Sequence, residues 1–309
     1  MAPIRVCSGL RKLRIVSQIE RHITLPPDAW NDAKQLWEEC ASYDRSGMPF
    51  NSDSSLNNHP GLDSHYLAYQ EGTLVSYLQL FHPQAREVEM TGCTKPERRK
   101  EGHFASLLRA ADCEIGRFPK ISRRILLVDG DSKPGASFLR HLGAELIDSE
   151  QELELPLGAA MPPVDSRLRV APITPDDVDT LARLSAVIFE EEYAEAVHGI
   201  SSCVDAPGRI KYKAIVDGQL VGFGGLSWED GRASIFGVGI DPEVRRRGFG
   251  RGVVAAIVRE AQRRLPGDTR ITLEVSETNS GARQLYESLG FRFRSRYDYY
   301  DVSAIAFRS

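Results

Sequence analysis

Apolar positions along the chain switch between two spacings, and the switching predicts strands and amphipathic helices in turn. The stretch "AYQEGTLVSYLQL", beginning at Ala68, reads as strand, two-residue turn and strand, with Glu71-Gly72 at the turn. "AIVDGQLVGFGGL", beginning at Ala214, reads the same way, with Asp217-Gly218 at the turn. Val253, Val254, Ile257, Val258, Ala261 and Leu265 fall on one helical face. The β-branched-rich "ITLEV" (271–275) then predicts a strand, and Ala282, Leu285, Tyr286 and Leu289 mark a further helical face. Earlier in the chain, Phe104, Leu107, Leu108 and Ala111 mark a helix. The strand "ILLV" follows it, and then a helix carrying Gly135, Phe138, Leu139 and Leu142.

These two series are copies. The hairpins lie 146 residues apart, and the same offset sets "KPERRKEGHF" (95–104) on "DPEVRRRGFG" (241–250). Pro96 falls on Pro242, Arg99 on Arg245 and Gly102 on Gly248. With one residue of slippage, "SKPGASFLRHLGA" from Ser132 aligns with "NSGARQLYESLGF" from Asn279. The copies meet in "PLGAAMPPVDS" (156–166), where prolines and small residues interrupt the pattern. Thr174, Pro175 and Asp177 then open a new helix. The expected domains are therefore 1–158 and 165–309. Each reads as strand, one or two helices, a meander of strands, helix, strand, helix, strand, which makes the fold class α+β.

A chain of 309 residues suits two domains. Its composition, 41% hydrophobic and 27% charged with net charge −4, argues against a nucleic-acid or membrane-surface protein, so any basic loop acts locally. No apolar run reaches about 18 residues, so no membrane span is expected. The basic leading stretch (Arg5, Arg11, Lys12, Arg14) lacks the features of a signal peptide and reads as an arm or first strand. Five scattered cysteines with no C-x-x-C pair fit reduced thiols in the cytoplasm and offer neither a zinc site nor a disulfide frame.

The candidate chemistry begins at "PEVRRRGFGRG" (242–252). The strand "ASIFGVGI" runs into it and the apolar helix begins within a turn of Gly250, so the loop is a helix N-terminus suited to an anion. Gly248 and Gly250 admit close backbone approach, and Arg245, Arg246, Arg247 and Arg251 add charged donors. An RNA-binding arginine–glycine segment does not fit between a strand and an amphipathic helix. The glycine spacing departs from the dinucleotide G-x-G-x-x-G, and no G-K-[ST] of a P-loop follows. The plainer alternative is a glycine-eased turn with a solvated basic rim.

"VGIDPEVRRRGFGRG", followed by "LEVSETNSGARQLYESLGF", resembles the GCN5-related N-acetyltransferase (GNAT) family. Arg245, Gly248 and Gly250 match its R/Q-x-x-G-x-G/A motif, and Asn279, Ala282, Leu285, Tyr286, Gly290 and Phe291 match its second motif. The resemblance covers about residues 167 to 300 and extends weakly to the first copy, so the fold looks like two tandem GNAT-like domains. Each would be a mixed, mostly antiparallel sheet flanked by helices.

The resemblance implies acetyl-CoA as co-substrate, no metal, and direct attack by a primary amine in a ternary complex. It implies that the backbone of Val238, Gly239 and Ile240 pairs with the pantetheine arm. Arg245, Arg246, Arg247, Gly248, Phe249, Gly250 and Arg251 would cradle the pyrophosphate. Tyr286 matches the general acid, with core packing as its other reading. Asn279 matches a contact to the CoA arm and equally suits a helix N-cap. Glu274 could take the amine's proton, and Glu190, Glu191 and Glu192 could attract a cationic acceptor or simply be solvated.

The first copy departs from this pattern. Leu139 stands where Tyr286 does, Ser132 where Asn279 does, Leu127 where Glu274 does and Phe104 where Gly250 does. Residues 1–158 are therefore expected to be degenerate and non-catalytic, with catalysis in 165–309. The acceptor is left open between a small-molecule amine, the first choice, and a protein N-terminus. Another acyl-CoA, a hydroxyl acceptor, or a CoA-binding regulatory module without turnover are the alternatives. No nucleic-acid or membrane partner is expected, and a tandem chain favours a monomer.

Overall fold

The computed structural model describes residues 5–6, 18–50, 54 and 56–307. The basic positions Arg11, Lys12 and Arg14 lie outside them. In chain order the elements are β1 (Arg5–Val6), β2 (Gln18–His22), α1 (Pro27–Asp44), β3 (His65–Gln70), β4 (Thr73–Phe81) and β5 (Glu87–Thr94). Then come α2 (His103–Ile115), β6 (Arg123–Asp129), α3 (Lys133–Leu142), β7 (Glu145–Leu155), β8 (Leu168–Pro172), α4 (Val178–Phe189) and α5 (Tyr193–Ser201). The chain closes with β9 (Arg209–Val216), β10 (Gln219–Glu229), β11 (Arg232–Ile240), α6 (Phe249–Arg264), β12 (Arg270–Ser276), α7 (Ser280–Ser288), β13 (Arg292–Asp301) and β14 (Ile305–Ala306). This is the expected α+β class. No helix among the described residues is long and apolar enough to cross a membrane.

The chain forms two compact units, residues 1–149 with 295–309, and residues 150–294. In the first, β2, β3, β4 and β5 run antiparallel, β6 joins β5 in parallel, and residues 297–301 of β13 pair antiparallel with β6. In the second, β8, β9, β10 and β11 run antiparallel, β12 joins β11 in parallel, and residues 150–155 of β7 pair antiparallel with β12. The two topologies are the same. The last strand of each sequence copy completes the sheet of the other unit, so unit boundaries differ from the repeat boundaries 1–158 and 165–309. The fifth strands of the two copies offer equivalent edges, and a period-2 pattern fits either of them.

Local chemistry accounts for the hairpins. Glu71 (φ 51°) and Gly72 (φ 76°) both take positive φ, as do Asp217 (φ 50°) and Gly218 (φ 82°), the backbone of a two-residue turn that matches strand twist. At the start of the second copy Asp177 accepts from the backbone N–H and the hydroxyl of Thr174, both at 2.8 Å, and holds Lys213 Nζ at 2.6 Å. That contact ties the α4 entrance to β9.

In the second unit the sheet is covered on both faces. Val253, Val254, Ile257 and Val258 of α6, with Tyr286 and Leu289 of α7, pack on Tyr212, Ala214, Leu226, Ile235 and Leu273. On the other face Leu181 and Ala182 of α4 and Ala196 and Ile200 of α5 pack on Phe223. Each aliphatic side chain buried this way contributes about 1.5–3 kcal/mol.

Candidate functional site

The site is built where two parallel strands part. β11 and β12 are paired only from Arg232–Ile235 to Arg270–Leu273, although β11 continues to Ile240 and β12 to Ser276. Past Ile235, β11 keeps its partner on the β10 side alone: Gly239 faces Phe223 and Ile240 faces Gly222. Its other edge offers backbone donors and acceptors to an extended ligand. Val238, Gly239 and Ile240 all lie on this free stretch.

Within it the register slips. Phe236 faces Gly225 and Gly239 faces Phe223, so Gly237 and Val238 together oppose the single residue Gly224. This is a β-bulge, with Gly237 at φ 51°. The corresponding pair in the first unit, β4 with β5, runs from Ser76–Thr94 to Phe81–Glu89 without a slip. A glycine inside an apolar strand is the sequence signal for a bulge, and at Gly237 that signal went unread.

The loop that follows has the same backbone in both units. Arg246 and Lys100 each have φ 66°, and Gly248 (φ 85°) and Gly102 (φ 91°) each precede a helix as its N-cap. Arg245 donates from Nε to the Ile240 carbonyl at 3.0 Å, and Arg99 donates from Nε to the Thr94 carbonyl, also at 3.0 Å. The side chains then diverge. Arg99 is held by both Asp44 oxygens, at 2.8 and 2.6 Å, whereas Arg245 makes no ion pair among the described residues. The Phe104 ring lies against Gly92, 2.8 Å from where a Cβ there would stand. At Gly250 no side chain stands over the backbone, and an added Cβ would meet Leu285 Cδ1 at 3.0 Å and Ile240 Cγ1 at 3.5 Å.

Arg245, Arg246, Arg247, Gly248 and Arg251 are exposed around the start of α6. No side chain caps that helix, which leaves its first N–H groups for an anion. Phe249 differs from its neighbours: its side chain is buried in the core, so only its backbone serves the loop.

Tyr286, on α7, is 8% exposed and packs edge-on against Phe291 with ring centroids 6.3 Å apart. Its hydroxyl makes no hydrogen bond to the described residues. Burial pushes its pKa up to about 12, so the phenol is held in its protonated, donating form. Core packing and a free donor thus coexist in one side chain. Asn279 is the N-cap of α7, its Oδ1 accepting from the Ala282 N–H at 3.1 Å. The amide nitrogen of that side chain is left to donate elsewhere.

Glu274 is directly opposite Glu152 across the β12–β7 pair, and Glu150 follows two residues away on the same face. Glu152 is fully buried between Arg232 and Arg294. The Glu274 side chain is exposed to water at its tip, with neighbouring protein crowding it from the sheet side. That crowding first, and then the charges of Glu150 and Glu152 against the opposing pull of Arg232, raise its pKa to about 7. Glu190, Glu191 and Glu192 sit at the break between α4 and α5. Glu191 accepts from the Ser185 hydroxyl at 2.5 Å, while Glu190 and Glu192 are exposed. Among the described residues no cluster of His, Cys, Asp and Glu is arranged to hold a metal.

Residues 178–291 match the family model described as "Acetyltransferase (GNAT) family". A mycothiol acetyltransferase from Clavibacter michiganensis is 29% identical over 212 residues, covering 64% of this chain and 66% of the relative. The [ribosomal protein bS18]-alanine N-acetyltransferase of Escherichia coli K12 is 36% identical over 72 residues, covering 23% of this chain and 47% of the relative. The matched stretches therefore span just under two thirds of the first relative and about half of the second. A solved structure described as a tandem GNAT protein from the clavulanic acid biosynthesis pathway shares the fold, with TM-score 0.68, 19% identity and coverage of 94% of this chain and 99% of that one. The split strands, the glycine–arginine loop and these likenesses agree: residues 178–291 form a GNAT-family domain, and the chain shares its fold with a tandem GNAT protein.

Proposed function

We propose that the chain moves an acetyl group from acetyl-CoA to a primary amine by direct attack, with the reacting centre in the second copy. The contrast between the copies carries this reading. One loop backbone occurs twice, but only the second copy combines it with an arginine held by no carboxylate among the described residues, a glycine at 250 and a bulged strand end. In the first copy Asp44 engages the arginine and Phe104 fills the path. We therefore take residues 1–158 as non-catalytic and 165–309 as catalytic.

The residues present fit such a co-substrate. Arg245, Arg246, Arg247 and Arg251 and the α6 N-terminus suit a pyrophosphate, and the free edge of Val238 to Ile240 suits an amide-bearing arm. A backbone N–H at the bulge can polarise the thioester carbonyl. Tyr286 donates to the departing sulfur. A phenol raised to about 12 does not surrender its proton outright to a thiolate of ordinary pKa about 8.5, so its role is a stabilising hydrogen bond as the C–S bond breaks. Glu274 accepts the amine's proton, directly or through water. The names of the relatives, a mycothiol acetyltransferase and a ribosomal-protein alanine N-acetyltransferase, support an acceptor that is either a small molecule or a protein. Cys40, Cys93, Cys113 and Cys203 are free, in keeping with action in the cytoplasm.

A raised Glu274 sets a pH dependence. Below about pH 7 the carboxyl is protonated and cannot accept, so kcat/KM should rise through about pH 7. Glu274→Gln should lower activity and remove that limb; a wild-type limb that persists in the variant excludes Glu274 as base. The same shift acts on stability with a defined sign. A carboxyl raised in the fold favours folding below its unfolded pKa, and that contribution is lost as pH rises through about 7. Glu274→Gln should therefore be more heat-stable than wild type at pH 8. The test of the function is thiol release from acetyl-CoA across a panel of polyamines, amino acids, aminoglycosides and peptides. Turnover on an amine with a mass gain of one acetyl group is expected. Tight acetyl-CoA binding with no turnover on any of them defeats the reading.

A further inference from the structure

β9 alternates cleanly. Tyr212, Ala214 and Val216 enter the core under α6, while Lys211 and Lys213 point to the face covered by α4 and α5. Lys213 is satisfied by Asp177. Lys211 is not: it is 7% exposed, and its ammonium makes no hydrogen bond or ion pair with any described residue. Its ammonium instead lies 4.9 Å from the centre of the Phe223 ring and 5.2 Å from that of Phe236. Gly225, directly between Lys211 and Phe236 in the sheet, permits this because a Cβ there would meet the Phe236 ring at 2.4 Å.

The amine stands beside the bulge. A Cβ added to Gly237 would come within 2.9 Å of Lys211 Nζ, and Gly237 itself is exposed. Lys211 therefore reaches from two strands away to the solvent-open point where β11 departs from its regular pairing. Two aromatic faces offset only part of the cost of withdrawing an ammonium from water. An apolar side chain would pack between Phe223 and Phe236 without that cost. Burial pushes the Lys211 pKa below that of ordinary lysine, against the pull of Cys203 from the end of α5 and Glu191 from the α4–α5 break. A buried cation of this kind is completed by an anion that arrives with a ligand.

We propose that Lys211 is the anion-recognition residue of the acceptor pocket, and that the acceptor is an amine that also carries a carboxylate, an amino-acid-like molecule. This inference rests on the acyl-transfer reading of the same site. The carboxylate accepts from Lys211 Nζ and supplies the counter-charge that the two rings do not. The acceptor's amine is thereby oriented, and the acidic groups of β12 and β7 face the amine end. Lys211 positions the acceptor and takes no part in proton transfer to the leaving sulfur.

The test uses the full chain, acetyl-CoA and each of the standard amino acids paired with its carboxamide, read by thiol release. Wild type should prefer the acid member of its best pair by about 10- to 100-fold in kcat/KM, carried by KM. Lys211→Met should bring that ratio close to one, with no fall in melting temperature. The ratio within one variant is insensitive to a general loss of packing. Equal use of acid and amide by wild type, or a preference that survives in Lys211→Met, overturns the inference. Turnover on polyamines or peptides but on no amino acid overturns it too, and leaves the acetyltransferase reading intact. No turnover on any amine defeats both.

Discussion

Replacing Gly250 with phenylalanine, the residue at the matching place in the first copy, should weaken acetyl-CoA binding by at least about 100-fold, a change in K of about 2.7 kcal/mol. Gly250 lies where the end of β11 meets the first turn of α6, close to Ile240 and Leu285. A benzyl group has no room there except over the strand end and the loop. Phe104 occupies just that ground in the first unit, with its ring against Gly92. The substitution keeps the helical φ of the position and adds apolar bulk at the surface, so folding should survive. Calorimetric titration with acetyl-CoA, beside a thermal melt, measures both. Normal affinity in a folded Gly250→Phe variant would discredit the loop as the pyrophosphate cradle.

The second large effect is expected at Tyr286. Tyr286→Phe should lower kcat by about 10²- to 10³-fold, the loss seen when one preorganised donor to developing charge is removed. The affinity for acetyl-CoA should stay within about twofold, because the ring and its contact with Phe291 are kept. The hydroxyl has no hydrogen-bond partner among the described residues, so its removal leaves no buried group stranded, and the melting temperature should not fall. Turnover unchanged in Tyr286→Phe would assign Tyr286 to the core alone.

Much of this site was legible in the chain because its parts are local. The turns at Glu71-Gly72 and Asp217-Gly218, the Thr174 cap and the loop from Arg245 to Arg251 depend on neighbouring residues, and they fold as their spacing predicts. The repeat also shows where the first copy departs from the second, at Phe104 and Leu139, and Asp44 engages Arg99 as well. Asp44 precedes Arg99 by 55 residues, and no spacing rule connects them.

What was not legible depends on strand partners. A repeat cannot say which of two equivalent edges a last strand will join, so the exchange of β7 and β13 was invisible. The raised pKa of Glu274 comes first from crowding and then from Glu150 and Glu152, which reach it only through that exchange. Lys211 belongs to no motif or spacing pattern in the sequence. Only the pairing with Gly225 and Phe236 places it between two rings and beside the bulge. Phe249 lies in the cofactor loop by position, but its side chain packs inward.

The central claim is that the fold occurs twice and the complete site once. Isothermal titration of the full chain with acetyl-CoA tests it most directly. One equivalent per chain is predicted, abolished by Gly250→Phe and untouched by Phe104→Ala. Two equivalents per chain, or one that survives Gly250→Phe, would contradict it.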